Sequence, residues 1–307
     1  MEFVELSGKQ AAQRPEALAL AQDAPWGQGW PPGPEHRVLA DRDWSWLAAW
    51  HPLAFDSEVF GLPLGQVSAL LHRAPWPEPG SLERGAAFMK RLADDAREAG
   101  LAGLFARTAE KDFLAAQALE AAGARLVDAS VVWEADLAQG LETPARPEGF
   151  LVRPAAEADA PALIALAANA FCDLEAYADR FALDPRLRHA CGELYGRWMA
   201  NSLSGRQADM VLTLAEGNRP VGFITLKGAR GGEAGWVVLN AVSPDKRGLG
   251  LYNMLLAHGL AWLAGQGASS ARVRTKFSQR AVIRAWSRLG ARPLAGDFTF
   301  HHWLDEL

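Results

Sequence analysis

Seven identities recur along this chain at one constant, ungapped offset of 167 residues. Gly100 meets Gly267, Arg107-Thr108 meets Arg274-Thr275, Ala118 meets Ala285, and Gly123-Ala124-Arg125 meets Gly290-Ala291-Arg292. Self-similarity at one fixed, long spacing is the signature of a duplicated structural unit. The pattern between the matched points repeats too. Each copy reads as a helix (85–99 and 251–266), a short strand (104–108 and 271–275) and a second helix (113–122 and 279–289). A glycine turn and a last strand (129–135 and 297–303) close each copy. The 307 residues suit two domains of ordinary size. Residues 136–149 lack apolar periodicity and hold Gly140, Pro144, Pro147 and Gly149, which is linker chemistry. The expected domains are therefore 1–145 and 146–307, in an α/β (α+β) chain.

Composition narrows the class of function. Half the residues are hydrophobic, enough for a sizeable core, and the net charge of −5 gives no overall basic footprint for nucleic acid. Two cysteines, Cys172 and Cys191, rule out a disulfide framework or a cysteine metal cluster, and both are expected to be inert. The seven histidines show no metal-ligand spacing, so no metal is expected. No apolar run reaches about 18 residues, so no membrane span is expected. The acidic start Met1-Glu2-Phe3-Val4-Glu5 lacks a signal pattern, and the expected location is the cytoplasm. Most of the 12 tryptophans should be core or pocket wall.

The second half carries the most informative segment. Strands are predicted at 150–153, 210–215, 221–226 and 235–242, with helices at 157–171 and 186–203. After the strand ending at Val242 come Ser243-Pro244-Asp245-Lys246-Arg247-Gly248-Leu249-Gly250-Leu251-Tyr252 and an amphipathic helix. A basic, glycine-bearing turn at a helix start is an anion site, where free N–H groups and the positive end of the helix dipole converge. It is neither a nucleotide P-loop nor a dinucleotide fingerprint. The bland alternative is a glycine turn with no ligand.

This order of elements around an RGxG turn resembles the GNAT acetyltransferase superfamily, whose pyrophosphate motif is Q/R-x-x-G-x-G/A. Arg247 and Gly250 match it, while Tyr252 replaces the final small residue and either crowds the turn or re-aims the helix. Val273, Thr275 and Gly290 agree with a further family segment. Phe55–Leu62, Arg180–Pro185, Trp198–Gly205 and Phe300–Leu304 resemble the dTDP-fucosamine acetyltransferases and their close relatives.

The resemblance implies tandem GNAT-like units, each a mixed, mostly antiparallel, twisted sheet flanked by helices. It implies acetyl-CoA as co-substrate, held by the backbone of Leu239, Ala241 and Val242, by the turn Arg247, Gly248, Leu249, Gly250, Leu251 and Tyr252, and by Gln279. It implies direct attack of a small-molecule amine on the thioester, with a nucleotide-linked amino sugar as one acceptor class. Trp286 stands where the family's acidic Tyr usually is, either as a hydrogen-bond donor to the thiolate or as a core aromatic. The candidate proton acceptors are His301, His302 and Glu233. Asn240, a polar residue in an apolar strand, either orients substrate or caps a bulge. The first half lacks the RGxG turn, so it is expected not to bind coenzyme A.

Two other readings stay open. One is a catalytically degenerate acyl-CoA-binding or regulatory module; the other is a peptide or protein N-acetyltransferase. The expected assembly is a monomer or homodimer, with no nucleic-acid or membrane partner.

Overall fold

The computed structural model describes residues 2–23, 31–74, 76–138, 147–174, 177–229 and 234–305. Its first elements are β1 (Phe3–Ser7), α1 (Gly8–Ala11), α2 (Pro15–Asp23), β2 (Arg37–Asp41), β3 (Trp46–Pro52), α3 (Ala54–Phe60) and β4 (Leu64–His72). Then come α4 (Ser81–Glu98), β5 (Gly103–Ala109), α5 (Phe113–Ala121), the long β6 (Arg125–Asp136) and β7 (Phe150–Pro154). After α6 (Ala160–Ala170) follow the short strands β8 (Cys172–Asp173) and β9 (Tyr177–Ala178), then α7 (Arg180–Leu183) and α8 (Cys191–Leu203). The chain closes with β10 (Met210–Glu216), β11 (Arg219–Lys227), β12 (Gly235–Val242), α9 (Leu251–Gly265), β13 (Ser270–Lys276), α10 (Arg280–Arg288) and β14 (Arg292–Trp303).

The 167-residue offset reappears as element boundaries. It carries β5 onto β13, α5 onto α10 and β6 onto β14 end to end. The matched turn glycines share their backbone geometry as well, with φ of 84° at Gly100 and 83° at Gly267. The duplication is therefore structural.

Two compact units result. One comprises Met1–Ala129 with Asp297–Leu307; the other comprises Ser130–Gly296. This differs from the expected division at 145/146. The last strand of each sequence half has been exchanged: Asp297–Trp303 of β14 pair with β5, and Ser130–Asp136 of β6 pair with β13. The two pairings have equivalent registers. Asp297 faces Ala109 in one, and Ser130 faces Lys276 in the other, each pair displaced by 167. A linker marks where the copies join in sequence, not where the packing divides. Residues 139–146 of that linker lie outside the described residues.

The first unit is built on the strand order β1-β2-β3-β4-β5-β14. β3 is buried on both faces. Trp46, Ala48 and Trp50 join the cluster under α4, while Leu47 and Ala49 join the cluster of Ala17 and Leu20 from α2. α4 presents Gly85, Phe88, Met89, Leu92 and Ala96, an apolar stripe at helical spacing. Gly85 is required there, since a Cβ would stand 2.9 Å from Trp46 and from Ala118.

The second unit has the order β6-β13-β12-β11-β10-β7. α9 buries Leu251, Met254, Leu255, Leu256, Leu260 and Leu263. Gly259 lets it close on β11, where a Cβ would meet Ile224 at 2.7 Å. Both units are mixed sheets in which most pairs are antiparallel, with helices on their faces. Among the described residues no helix is long and apolar enough to cross a membrane, and no group of His, Cys, Asp and Glu is placed to hold a metal.

Candidate functional site

The site of the second unit begins with a failure of pairing. β12 and β13 run parallel and pair only at Gly235–Ala271, Trp236–Arg272 and Val237–Val273. Just beyond, β12 carries a bulge: Leu226 faces Val237 and Thr225 faces Leu239, leaving Val238 over. A bulge bends and twists its strand, and here it steers β12 away from β13. Buried Thr225 stabilises the defect, since its Oγ1 accepts the Leu239 N–H at 2.9 Å.

Strand geometry then fixes which backbone groups face the gap. Leu239 N–H is spent on Thr225, and Ser243 N–H on Val221 O at 2.8 Å, both on the β11 side. Backbone groups alternate sides along a strand, so those of Asn240 and Val242 point to the side β13 has left. The expected backbone contacts at Leu239 and Ala241 are corrected accordingly: those two residues face β11, whereas the backbone of Val242 faces the gap. Among the described residues Asn240 neither caps the bulge nor makes a side-chain hydrogen bond; Thr225 holds the bulge.

β12 leads into the glycine turn. Pro244–Lys246 form one 3-10 turn. Gly248 and Gly250 follow with φ of 84° and 74°, a region that disfavours any side chain. Gly250 is the N-cap of α9, and the Asn253 and Met254 N–H groups turn back to its carbonyl. The amides of Gly248, Leu249, Gly250, Leu251 and Tyr252 have no acceptor among the described residues. They stand at the positive end of a 15-residue helix.

The cations divide their roles. Lys246 is held by Glu216 at 2.7 Å and lies over the Phe150 ring, so it is spent on the fold. Arg247 is exposed and makes no ion pair among the described residues. It lines a cavity of about 290 Å³ with Val242 and Pro244 on one side and Leu166, Asn169 and Cys172 on the other.

Tyr252 does not crowd this turn. Its ring packs against the core of the unit and its hydroxyl is buried, which pushes the phenol well above its ordinary pKa. The nearby Trp286 indole N–H offsets part of that rise. Trp286 itself is 0% exposed and belongs to the same core, so of its two readings the core aromatic holds. Gln279 is the N-cap of α10, shortly after β13, and among the described residues its side chain makes no capping hydrogen bond.

His301 and His302 lie on the exchanged strand and are buried in the first unit, at 1% and 8% exposure. His301 packs on Phe105 with ring centroids 4.2 Å apart. His302 meets the backbone of Ala122, and burial together with Arg97 lowers its pKa. Glu233 lies outside the described residues. The exchange instead brings Ser130–Val132 of β6 beside the open end of β13, opposite Lys276 and Arg274. Strand exchange leaves no sequence signal, because β6 and β14 occupy equivalent positions in the two sequence copies.

A buried polar cluster flanks the end of β13. The Lys276 ammonium donates to the Ala178 carbonyl and lies over the Tyr177 ring. Tyr195 OH donates to Asp179 at 2.6 Å. Arg180, Tyr195 and Lys276 outweigh burial and hold the Asp179 carboxyl below its ordinary range.

The corresponding gap of the first unit is filled. β4 and β5 pair only from Leu64–Gly103 to Gln66–Phe105, and the Gln66 amide donates to the Val67 carbonyl at 2.9 Å and that of Phe105 at 3.4 Å. Before α4 stands Trp76-Pro77-Glu78-Pro79-Gly80 in place of a basic turn.

Comparisons with known proteins bear on the family signature and the fold. Residues 174–291 match the model of the Acetyltransferase (GNAT) family. No protein of curated function matches the sequence. Among solved structures, a GCN5-related N-acetyltransferase from Sphaerobacter thermophilus is 17% identical with a TM-score of 0.67, covering 98% of this chain and 96% of its own. A tandem GNAT protein from the clavulanic acid biosynthesis pathway is 16% identical at 0.62, covering 100% and 99%. The GCN5-related glucosamine N-acetyltransferase region of a fungal multi-domain GH3 β-N-acetylglucosaminidase is 14% identical at 0.64, covering 97% of this chain and 38% of that one. The fold is thus that of the GNAT acetyltransferases in tandem, and it is the second unit that carries the family's sequence signature.

Proposed function

We propose that the chain is an acetyl-CoA-dependent N-acetyltransferase whose co-substrate site lies in the second unit. The observation that carries this reading is the splayed edge of β12 running straight into the free amides of Gly248–Tyr252 beside Arg247. Such an edge suits an extended amide-bearing arm, and such a turn suits a pyrophosphate. Asn240 and Val242 would pair with the pantetheine arm. The amides from Gly248 to Tyr252 and the Arg247 guanidinium would hold the pyrophosphate. Gln279, across the gap at the head of α10, has its side-chain amide available to the arm. Acetyl-CoA supplies a thioester carbonyl open to direct attack by an amine.

The acceptor is a small-molecule amine. Support for an amino sugar, including one linked to a nucleotide, comes from two sides. The segments Phe55–Leu62, Arg180–Pro185 and Phe300–Leu304 resemble the dTDP-fucosamine acetyltransferases, and the glucosamine N-acetyltransferase region shares the fold. The first unit, with Gln66 across its gap, serves as a scaffold. The reaction is placed in the cytoplasm, where acetyl-CoA is made and used.

Calorimetric titration with acetyl-CoA tests the reading. Binding is expected, with a loss of at least tenfold in Arg247→Glu; no binding, or binding indifferent to that change, overturns it. A second reading, an acyl-CoA-binding module without turnover, is favoured by one observation. Trp286 is sealed in the core and both candidate histidines are buried in the other unit. Thiol release across a panel of amino sugars separates the two: turnover selects the enzyme, and binding without turnover selects the module.

A further inference from the structure

The first unit repeats the opened strand of the second step by step. β4 and β5 pair in parallel over three residues and stop, as β12 and β13 do. A bulge follows on β4. Ala49 faces Ala69 and Trp50 faces Val67, leaving Ser68 over where β12 leaves Val238. Arg73 N–H donates to the Ser45 carbonyl at 2.9 Å, as Ser243 N–H does to that of Val221. Backbone groups alternate sides along a strand, so those of Leu70 and His72 face the gap, in the places of Asn240 and Val242. Gly80 then caps α4 with φ of 78°, as Gly250 caps α9 with 74°.

Two residues on opposite sides of this gap differ between the units. His72 stands in the place of Val242. Asp112 stands in that of Gln279, each the N-cap of the helix that follows the far strand. His72 Nε2 meets Asp112 Oδ1 at 2.9 Å, and both side chains are largely buried. The carboxylate is fixed by the Ala115 N–H, which donates to it at 3.0 Å. The imidazole is fixed by Trp46, stacked on it with centroids 4.4 Å apart. The bridge ties the end of β4 to the start of α5, across the gap. Val242 can make no such bond, and it lines an open cavity. Closure strands several polar groups. Leu70 is buried, so its gap-facing amide and carbonyl have neither a strand partner nor water. His72 Nδ1 and Trp46 Nε1 are buried with no partner among the described residues. So is Thr108 Oγ1 on β5, which shares their face because Leu104 and Ala106 lie under α4. Buried polar groups are paired in nearly all folded proteins, so this lining fits a binding cleft held shut.

We propose that the His72–Asp112 bridge is an autoinhibitory latch over a second cleft, which takes an extended amide chain along Leu70 and His72 once the latch opens. Trp76–Gly80 holds no cation, so the ligand is an arm without phosphate groups, of the pantetheine type. The choice of that arm rests on the reading of the second unit's cleft given above; the latch does not.

Amide hydrogen exchange on the full chain, read by mass spectrometry of short peptides, tests both parts. Asp112→Ser keeps an N-cap oxygen for α5 but is too short to reach His72. His72→Phe keeps a ring on Trp46 but has no donor. The probe is pantetheine at millimolar concentration with reductant present. In the native protein, exchange across 69–73 is expected to be slow and indifferent to the probe. Each variant should exchange about tenfold faster there, with 37–41 unchanged, and pantetheine should slow it again by about threefold. Variants that exchange like the native protein, acceleration shared by 37–41, or variants left unprotected at 69–73 by pantetheine would each overturn the proposal. Protection across 239–243 reads the second unit's cleft separately. Protection there without protection at 69–73 sinks the latch alone, and the converse sinks only the proposed co-substrate site. Should one variant fold poorly, the other decides.

Discussion

Gly250 offers a way to separate backbone strain from ligand contact. Its φ of 74° lies in the left-handed region, and nothing lies within 4 Å of a Cβ built on it. Alanine there meets no clash and suffers only the left-handed penalty, about 1–2 kcal/mol. Gly267 provides the control in the same unit, with φ of 83° and the same clear surroundings, in the turn at the opposite end of α9 from the anion site. Both substitutions are expected to lower Tm by roughly 2–8 °C for a unit of this size. They should part company in binding. Gly250 is the N-cap of α9, so its methyl group takes up space in front of the free amides. Losing one hydrogen bond to a charged group costs roughly 1.5–3 kcal/mol, which is about a tenfold to hundredfold loss of affinity. Calorimetry with acetyl-CoA on both variants reads the difference. Gly250→Ala binding within twofold of Gly267→Ala, at matched loss of Tm, would refute the assignment of the turn as the pyrophosphate site.

Thr225→Val removes the acceptor of the Leu239 N–H while keeping the side chain's shape; urea denaturation should show a loss of about 1–3 kcal/mol. Acetyl-CoA affinity should fall with it, because the bulge that opens β12 from β13 is no longer held. Tyr195→Phe takes the donor from the buried Asp179 carboxylate and should cost about 1–3 kcal/mol, measured the same way, with an unchanged denaturant slope. His302 titrates below its ordinary value because burial and Arg97 disfavour its charged form. The unfolded chain therefore binds the proton first, so stability is complete above about pH 6.5 and declines as pH falls through the folded value. His51 is lowered as well, chiefly by burial and by His36. Thermal unfolding between pH 7 and 5 should show that slope, reduced in His302→Gln and reduced further when His51→Gln is added.

What the sequence exposes and what it hides have physical reasons. The glycine turn at 247–252 is readable because positive φ admits so few residues, and Gly248 and Gly250 stand where that need arises. The 235–242 strand is found residue for residue because a buried strand beside a cleft is almost wholly apolar. The strands of the first unit are less visible. Trp46-Leu47-Ala48-Ala49-Trp50 is covered on both faces, which erases the alternation that marks a strand. Residues 3–23 hold one strand and two helices, of which the sequence pattern suggests only a helix near 16–22, found as α2; β1 and α1 have too few apolar positions to form a pattern. The bulge at Val238 and the Thr225 side chain that holds it are tertiary features without local signature. The histidines at 301 and 302 mislead for a different reason. They follow the second copy in sequence, while β14 pairs into the first unit.

The exchanged strands also set an order of events. β5 waits for Asp297–Trp303, nearly two hundred positions downstream, before its outer edge is covered. A ribosome making this chain from its N-terminus therefore delivers the first unit's final strand only after all of Ser130–Gly296 of the second unit. Until then that edge of β5 is bare, and β6, already made, is the counterpart in length and position of the strand it awaits. Reaching the mature arrangement requires β6 to be kept for β13, so synthesis itself poses a choice of partner. A chain cut at the linker would settle that choice the other way, and each half would then close on its own last strand.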